Sequence, residues 1–256
     1  MKARTFIWYM QRPIFWPYMV EELARKLKSK ALVGTRDEAT EWCKQCESPR
    51  DDVFEWLKIS SISIPEKLKS EAAARVARVP IEMGTEGDLD MIYSIIMGAR
   101  FANCLESGVS YGWSSLAILS ALEKLKVTGE IQFAQCTSVD MPYPNRNNEP
   151  YVGVCVAKQH RTDWRLIRYP DRWGLRTALN VIDGQLDFYH YDSDKTFWGR
   201  LFAWNLVRDR LKIGSIFMMD DIHDNFGFKQ IVREVSYDWR VYKHGQKYTG
   251  IIKLDQ

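Results

Sequence analysis

From about residue 84 to the C-terminus, strand-like and helix-like segments alternate, which restricts the chain to a sheet covered by helices. A helix over Asp88 to Met97 is expected to end at Gly98 through a left-handed cap, and a strand follows at Phe101 to Leu105. Next come a helix at Ser114 to Lys126, a strand at Ile131 to Val139 and a strand around Trp164 to Arg168. A helix near Leu175 to Val181 leads to a strand at Leu186 to Tyr191, then a helix from about Phe197 to Leu211. A strand at Ser215 to Met219 and a helix at Phe226 to Val235 complete the alternation. Such an order implies a mostly parallel sheet with helices on both faces. Two last extended segments, Trp239 to Lys243 and Tyr248 to Leu254, flank His244-Gly245-Gln246, which reads as an antiparallel hairpin at one sheet edge.

Residues 1–80 read differently, as helical pieces broken by Pro and polar turns. They are taken as a helical N-terminal extension, with residues 81–256 as the main domain. Its aromatic cluster (Phe6, Trp8, Tyr9, Phe15, Trp16, Tyr18) has three uses open to it: docking on the main domain, pairing subunits into a homo-oligomer, or touching a membrane surface. The first two are the ordinary fate of clustered aromatics. The chain has 36 Lys and Arg against 33 Asp and Glu, a balance with no general pull toward nucleic acid or anionic lipid. Five cysteines without framework spacing fit buried thiols in a reducing compartment, and Cys43-Lys-Gln-Cys46 is a lone CxxC rather than a zinc site. No apolar run approaches the roughly 20 residues of a transmembrane helix. The N-terminus lacks the features of a signal peptide, so the expected compartment is the cytoplasm.

In an open parallel sheet, ligands sit beyond the carboxyl ends of the strands, at the switch point of strand order. Residues just after each strand therefore carry the functional reading. After the first strand the chain runs Leu105-Glu106-Ser107-Gly108-Val109-Ser110-Tyr111-Gly112-Trp113-Ser114 into an apolar helix. Gly108 and Gly112 allow close backbone approach, and the helix start with the Ser114 hydroxyl suits a carboxylate or phosphate. The GxGxxG of dinucleotide folds is absent, which disfavours an NAD-linked oxidoreductase. After the second strand, Asp140 can accept hydrogen bonds from a ribose diol. The later strands run into Tyr191-Asp192-Ser193-Asp194-Lys195 and Met219-Asp220-Asp221-Ile222-His223. Two carboxylate clusters at neighbouring strand ends need something positive between them. Oxygen donors without Cys favour a hard cation such as Mg²⁺.

Together these stretches resemble class I S-adenosylmethionine-dependent methyltransferases, in particular a bacterial family related to catechol and caffeoyl-coenzyme A O-methyltransferases. The resemblance covers about residues 80 to 256. It implies a Rossmann-like α/β fold: a seven-stranded, mostly parallel sheet with an antiparallel C-terminal hairpin, here preceded by the helical extension. It implies a cofactor site made by Glu106, Gly108, Ser110, Gly112, Ser114, Asp140, Asp171 and Asp192. In it Glu106 and Gly108 line the methionine end, Ser114 lies near the carboxylate, Asp140 takes the ribose and Asp171 the adenine. Asp192, Asp220 and Asp221 fall on the metal positions of the catechol-type branch, and Lys195 on its catalytic lysine. The chain departs from the pattern at Tyr191 and Lys195, where the bacterial motif has His, and at Phe197, where Tyr is common.

The expected reaction is methyl transfer to a hydroxyl of a small molecule, a sugar or a secondary metabolite. A metal would polarise the hydroxyl, and Lys195 or His223 would receive its proton if neutral. The long stretch between Asp140 and the third strand is expected to cover the acceptor. Two rivals stand beside this reading. One is a noncatalytic protein on the same fold. The other is an enzyme acting on nucleic acid through Arg161, Arg165, Arg168, Arg172 and Arg176 with interleaved aromatics.

Overall fold

The computed structural model describes residues 3–28, 33–144 and 146–255. Seven strands form one sheet in the order β3-β2-β1-β4-β5-β7-β6. The central parallel strands are β1 (Asn103–Ser107), β2 (Gln135–Val139), β3 (Trp164–Ile167), β4 (Leu186–Tyr191) and β5 (Leu211–Met219). β6 (Asp238–His244) and β7 (Lys247–Lys253) form the hairpin, and β7 is inserted antiparallel beside β5. β1 and β4 are fully buried, as expected for strands covered on both faces. The order reverses between β1 and β4, which sets the switch point at their carboxyl ends.

Helices α6 (Leu89–Ala99) and α7 (Trp113–Val127) cover one face, and α8 (Asp171–Val181), α9 (Phe197–Val207) and α10 (Gly227–Glu234) belong to the core of the other. α6 starts where expected, because the Asp88 carboxylate accepts the Met91 N–H at 3.0 Å. Its end differs from expectation. The left-handed residue is Arg100 (φ 52°), and Gly98 lies inside the helix, where an added Cβ would meet the Ile59 side chain at 2.6 Å. That glycine makes room for packing; it does not turn the chain.

The N-terminal part contains α1 (Ala3–Met10), α2 (Trp16–Lys28), α3 (Arg36–Cys46), α4 (Arg50–Leu57) and α5 (Glu66–Val76). Val53, Phe54, Leu57 and Ala72 of α4 and α5 share one core with Ile92, Leu116 and Phe188. By contrast, α1 and the start of α2 form a separate cluster (Trp8, Tyr9, Phe15, Met19) that meets the rest through Met141 and Tyr169. All five cysteines are free. Cys43 is buried on α3 and its thiol is pushed up to about 12, chiefly by burial. No described helix is long and apolar enough to cross a membrane.

Candidate functional site

Four backbone hydrogen bonds bring the strand ends side by side. Gly108 N–H donates to the Val139 carbonyl (2.8 Å), Asp192 N–H to Ser107 (2.8 Å), Asp140 N–H to Ile167 (3.0 Å) and Asp220 N–H to Tyr191 (3.0 Å). These bonds continue the parallel ladders past the strands, so the residues that follow β1, β2, β4 and β5 open onto one place. That place is a cleft open to solvent. Of the residues read from sequence, Gly108, Ser110, Ser114, Asp140, Asp192, Lys195 and Asp220 line it.

At one end the turn after β1 takes three left-handed residues, Gly108 (φ 89°), Ser110 (φ 52°) and Gly112 (φ 87°). A Cβ at Gly108 would lie 2.0 Å from the Asp192 carbonyl, and one at Gly112 would lie 2.8 Å from Gly153 Cα. Both glycines therefore admit other parts of this chain at close range. Gly112 itself is outside the cleft lining. α7 begins at Trp113 with no side-chain cap, leaving first-turn N–H groups beside the cleft at Trp113 and Ser114.

Glu106 is also outside the lining. It is fully buried and accepts three hydroxyls: Ser114 (2.5 Å), Ser115 (2.6 Å) and Ser138 (2.6 Å). Its work is to tie β1, β2 and α7 together beneath the turn. Asp140 Oδ1 accepts the N–H groups of Val109 (2.9 Å) and Ser110 (3.3 Å), and Oδ2 pairs with Arg168. Arg168 also holds Glu149 at 3.0 Å. By lone-pair count, Oδ2 keeps about one acceptor position for a ligand.

Asp171 lies at the start of α8, outside the lining, and accepts Ser193 Oγ (2.7 Å), Tyr191 OH (3.2 Å) and Asp194 N–H (3.3 Å). Burial pushes its carboxyl up to about 6, against those three hydrogen bonds.

The acidic end departs most from expectation. Lys195 Nζ lies 3.0 Å from Asp192 Oδ1 and pairs with Asp221 Oδ2. Lys247 Nζ stands 3.8 Å from Asp221 Oδ1. Asp220 accepts Thr249 Oγ1 at 2.8 Å and lies 3.2 Å from His190 Nε2. Each of the three carboxylates thus already has a protein partner, and among the described residues no group of three His, Cys, Asp or Glu side chains is arranged to hold a metal ion. The expected metal triad does not fit the site. Part of the reason is Asp221, whose left-handed backbone (φ 52°) reverses the chain just past β5.

Two proton-transfer expectations change as well. Burial lowers the Lys195 pKa, but the Asp192 and Asp221 carboxylates outweigh it, and the net direction is upward. That direction favours the ammonium form of Lys195 over a base. His223 is buried outside the cleft lining. Its Nδ1 accepts the Tyr248 N–H (3.3 Å), its Nε2 lies 3.0 Å from Arg36, and burial, the largest influence, leaves its pKa lowered.

Several lining residues escaped the sequence reading. His190, inside β4, faces the cleft, and its Nδ1 has no hydrogen-bond partner among the described residues. Alternation along β4 could have found it, since 190 and 192 share a face. Met83, Gly84, Thr85 and Gly87 reach the cleft from the segment before α6, where the glycines of Met83-Gly84-Thr85-Glu86-Gly87 were the available signal. The stretch after Asp140 contributes Met141 and Tyr143. It is strapped to the β1 turn by Gly153 N–H to Ser110 (2.9 Å) and Cys155 N–H to Tyr111 (2.8 Å). The arginines of the basic-aromatic stretch are tied inward: Arg161 to Gly153 and Val156 carbonyls, Arg165 to Val181, and Arg172 and Arg176 over the Phe202 ring.

Residues 105–222, the span containing this turn and both acidic strand ends, match the family model described as a methyltransferase domain. Over that span the chain is similar to a methyltransferase domain. Its fold is shared by the O-methyltransferase of Streptomyces achromogenes involved in tomaymycin synthesis, solved with S-adenosylmethionine (SAM). That comparison has a TM-score of 0.59 at 11% identity and covers 83% of this chain and 98% of that one. A Podospora anserina methyltransferase bound to S-adenosylhomocysteine gives 0.58 at 14% identity, with 80% and 95% covered. A Staphylococcus aureus caffeoyl-CoA O-methyltransferase, so named by similarity, gives 0.53 at 18%, with 79% and 96% covered. No curated protein sequence matches the chain. The two ends of the cleft differ in kind: serine hydroxyls and N–H groups predominate at the β1 turn, carboxylates and cations at β4 and β5.

Proposed function

We propose that the chain uses SAM to methylate a hydroxyl group of a small polar acceptor, a sugar or a secondary metabolite. The observation that carries this reading is the union of the uncapped α7 start, Asp140 and the Lys195 ammonium on one cleft. The residues fit the cofactor. First-turn N–H groups of α7 suit a carboxylate, and Asp140 Oδ2 keeps an acceptor position for a ribose hydroxyl. Bound SAM supplies an electrophilic methyl group on a sulfonium.

The chain's own residues orient and stabilise. Glu106 holds the Ser114 end of α7 in place through its three hydroxyl partners. Lys195, kept protonated by Asp192 and Asp221, donates a hydrogen bond to the acceptor oxygen as that oxygen loses its proton to water. His190, with its open Nδ1, adds a polar contact at the same end. A divalent cation has no part in this reading, because the carboxylates that would hold it are engaged by Lys195, Lys247, His190 and Thr249. Calorimetric titration tests the proposal. SAM is expected to bind one per chain, and absence of binding at millimolar SAM overturns it.

A further inference from the structure

Overall charge conceals a strong local imbalance. Residues 1–30 hold seven Lys and Arg (Lys2, Arg4, Arg12, Arg25, Lys26, Lys28, Lys30) against Glu21 and Glu22, a net of +5. The other 226 residues carry 29 basic against 31 acidic side chains, a net of −2. The same short segment carries the main apolar surface. Of the thirteen large hydrophobic side chains exposed among the described residues, seven fall between positions 6 and 23: Phe6, Ile7, Met10, Ile14, Trp16, Val20 and Leu23. Ile14 and Val20 are each 61% exposed and Ile7 is 53% exposed. The other six are spread from 127 to 237.

Helical geometry sorts the segment into two faces. On α2, Trp16, Val20 and Leu23 recur at i, i+4 and i+7, and on α1 Phe6 and Met10 are four apart, so each set lies on one side of its helix. Trp8, Tyr9, Phe15 and Met19 are instead buried and pack on Met141 and Tyr169. One set thus seats α1 and α2 on the rest of the chain while the other leaves an apolar strip in a basic segment.

We infer that α1 and α2 dock the protein on an anionic membrane surface, with Ile7, Ile14, Trp16 and Val20 entering the boundary between headgroups and acyl chains. Charge complementarity selects this occupant. Anionic lipid attracts juxtamembrane Lys and Arg, whereas a second copy placed on the same strip by two-fold symmetry brings one +5 segment against another. Amphipathic helices with basic polar residues and Trp or aliphatic residues opposite lie in the interface plane. No described helix is long and apolar enough to span the bilayer, so the mode is lying on the surface. Met141 both lines the cleft and packs on the α1–α2 pair, so docking brings one edge of the cleft to the lipid. The inference does not depend on the methyltransferase reading.

Co-sedimentation of the full chain with phosphatidylcholine vesicles, with and without phosphatidylglycerol, tests it. Binding is expected only with the anionic lipid and is expected to weaken as salt rises. Ile14→Asp/Val20→Asp is expected to weaken binding by about tenfold or more, since both side chains leave water for apolar surroundings on insertion. Because both positions are exposed, thermal unfolding should match the wild type. A wild-type chain that stays in the supernatant with anionic vesicles overturns the proposal, as does a double variant that binds equally well. A concentration-dependent dimer that the double variant abolishes, in a chain that ignores vesicles, assigns the strip to a second copy instead.

Discussion

The two ends of the cleft solve the same problem in opposite ways. Under the β1 turn, Glu106 is fully buried and surrounded by dipoles alone, three serine hydroxyls within 2.6 Å. At the ends of β4 and β5, Asp192, Asp220 and Asp221 are met by an ammonium, a second lysine and an imidazole. Dipoles that belong to the fold leave a cross-linked floor beneath the turn. Cations paired with those carboxylates leave a charged wall on the cleft. The comparison teaches that a shared residue type, the strand-end carboxylate, says little about role until its partners are known.

The sharpest attack on the dipole end is Glu106→Ala. It strands two buried hydroxyls and a half-buried one and opens a cavity, and is expected to lower unfolding free energy in urea by about 3–5 kcal/mol. A loss under about 1 kcal/mol would mean that the serines find other partners. Asp171 probes the same contrast from the acidic side, since it too is held by dipoles. Its folded pKa of about 6 lies above the ordinary 3.8. The folded state therefore holds its proton more firmly than the unfolded state. That contribution is present below about pH 4, fades as pH rises through about 6, and amounts to about 3 kcal/mol at 1.36 kcal/mol per unit. Asp171→Asn should remove this decline, so that the difference in melting temperature between variant and wild type grows from pH 4 to 7. A difference independent of pH would show that Asp171 is ionised throughout.

For ligand binding, Asp140→Ala is expected to cost about 1–3 kcal/mol of SAM affinity by calorimetry. Unchanged affinity would move the ribose elsewhere. At the charged end, Mn²⁺ titration followed by electron spin resonance should show no stoichiometric site in the wild type. A site abolished by Asp192→Asn would restore the metal reading. The smallest effect belongs to Lys247→Ala. Its ammonium is partly exposed and 3.8 Å from Asp221, and its removal should change stability by under about 1 kcal/mol.

How far the sequence could be read follows from the range of the forces involved. The β1 turn was legible because left-handed backbone is encoded locally, in Gly108 and Gly112. The strand ends were legible because apolar runs stop at Asp140, Asp192 and Asp220. The Arg100 turn was not, since a non-glycine residue in that conformation leaves no compositional mark while Gly98 offers a false one. Lys195 was located correctly, but its protonation depends on Asp221, 26 residues away. Net charge over the whole chain hid the N-terminal imbalance, because the average cancels a +5 segment against an acidic remainder.

Periodicity and punctuation, read along one dimension, thus determined the order of elements and the residues at each strand end. Tertiary structure alone decided which of those residues face the cleft and which face each other. It put Glu106 under the turn, turned His223 away and set a lysine among the aspartates. The physical reason is that hydrogen bonds and ion pairs act over a few ångströms in space, and here they join residues as far as 201 positions apart, as in the Tyr248 hydroxyl that donates to Glu47.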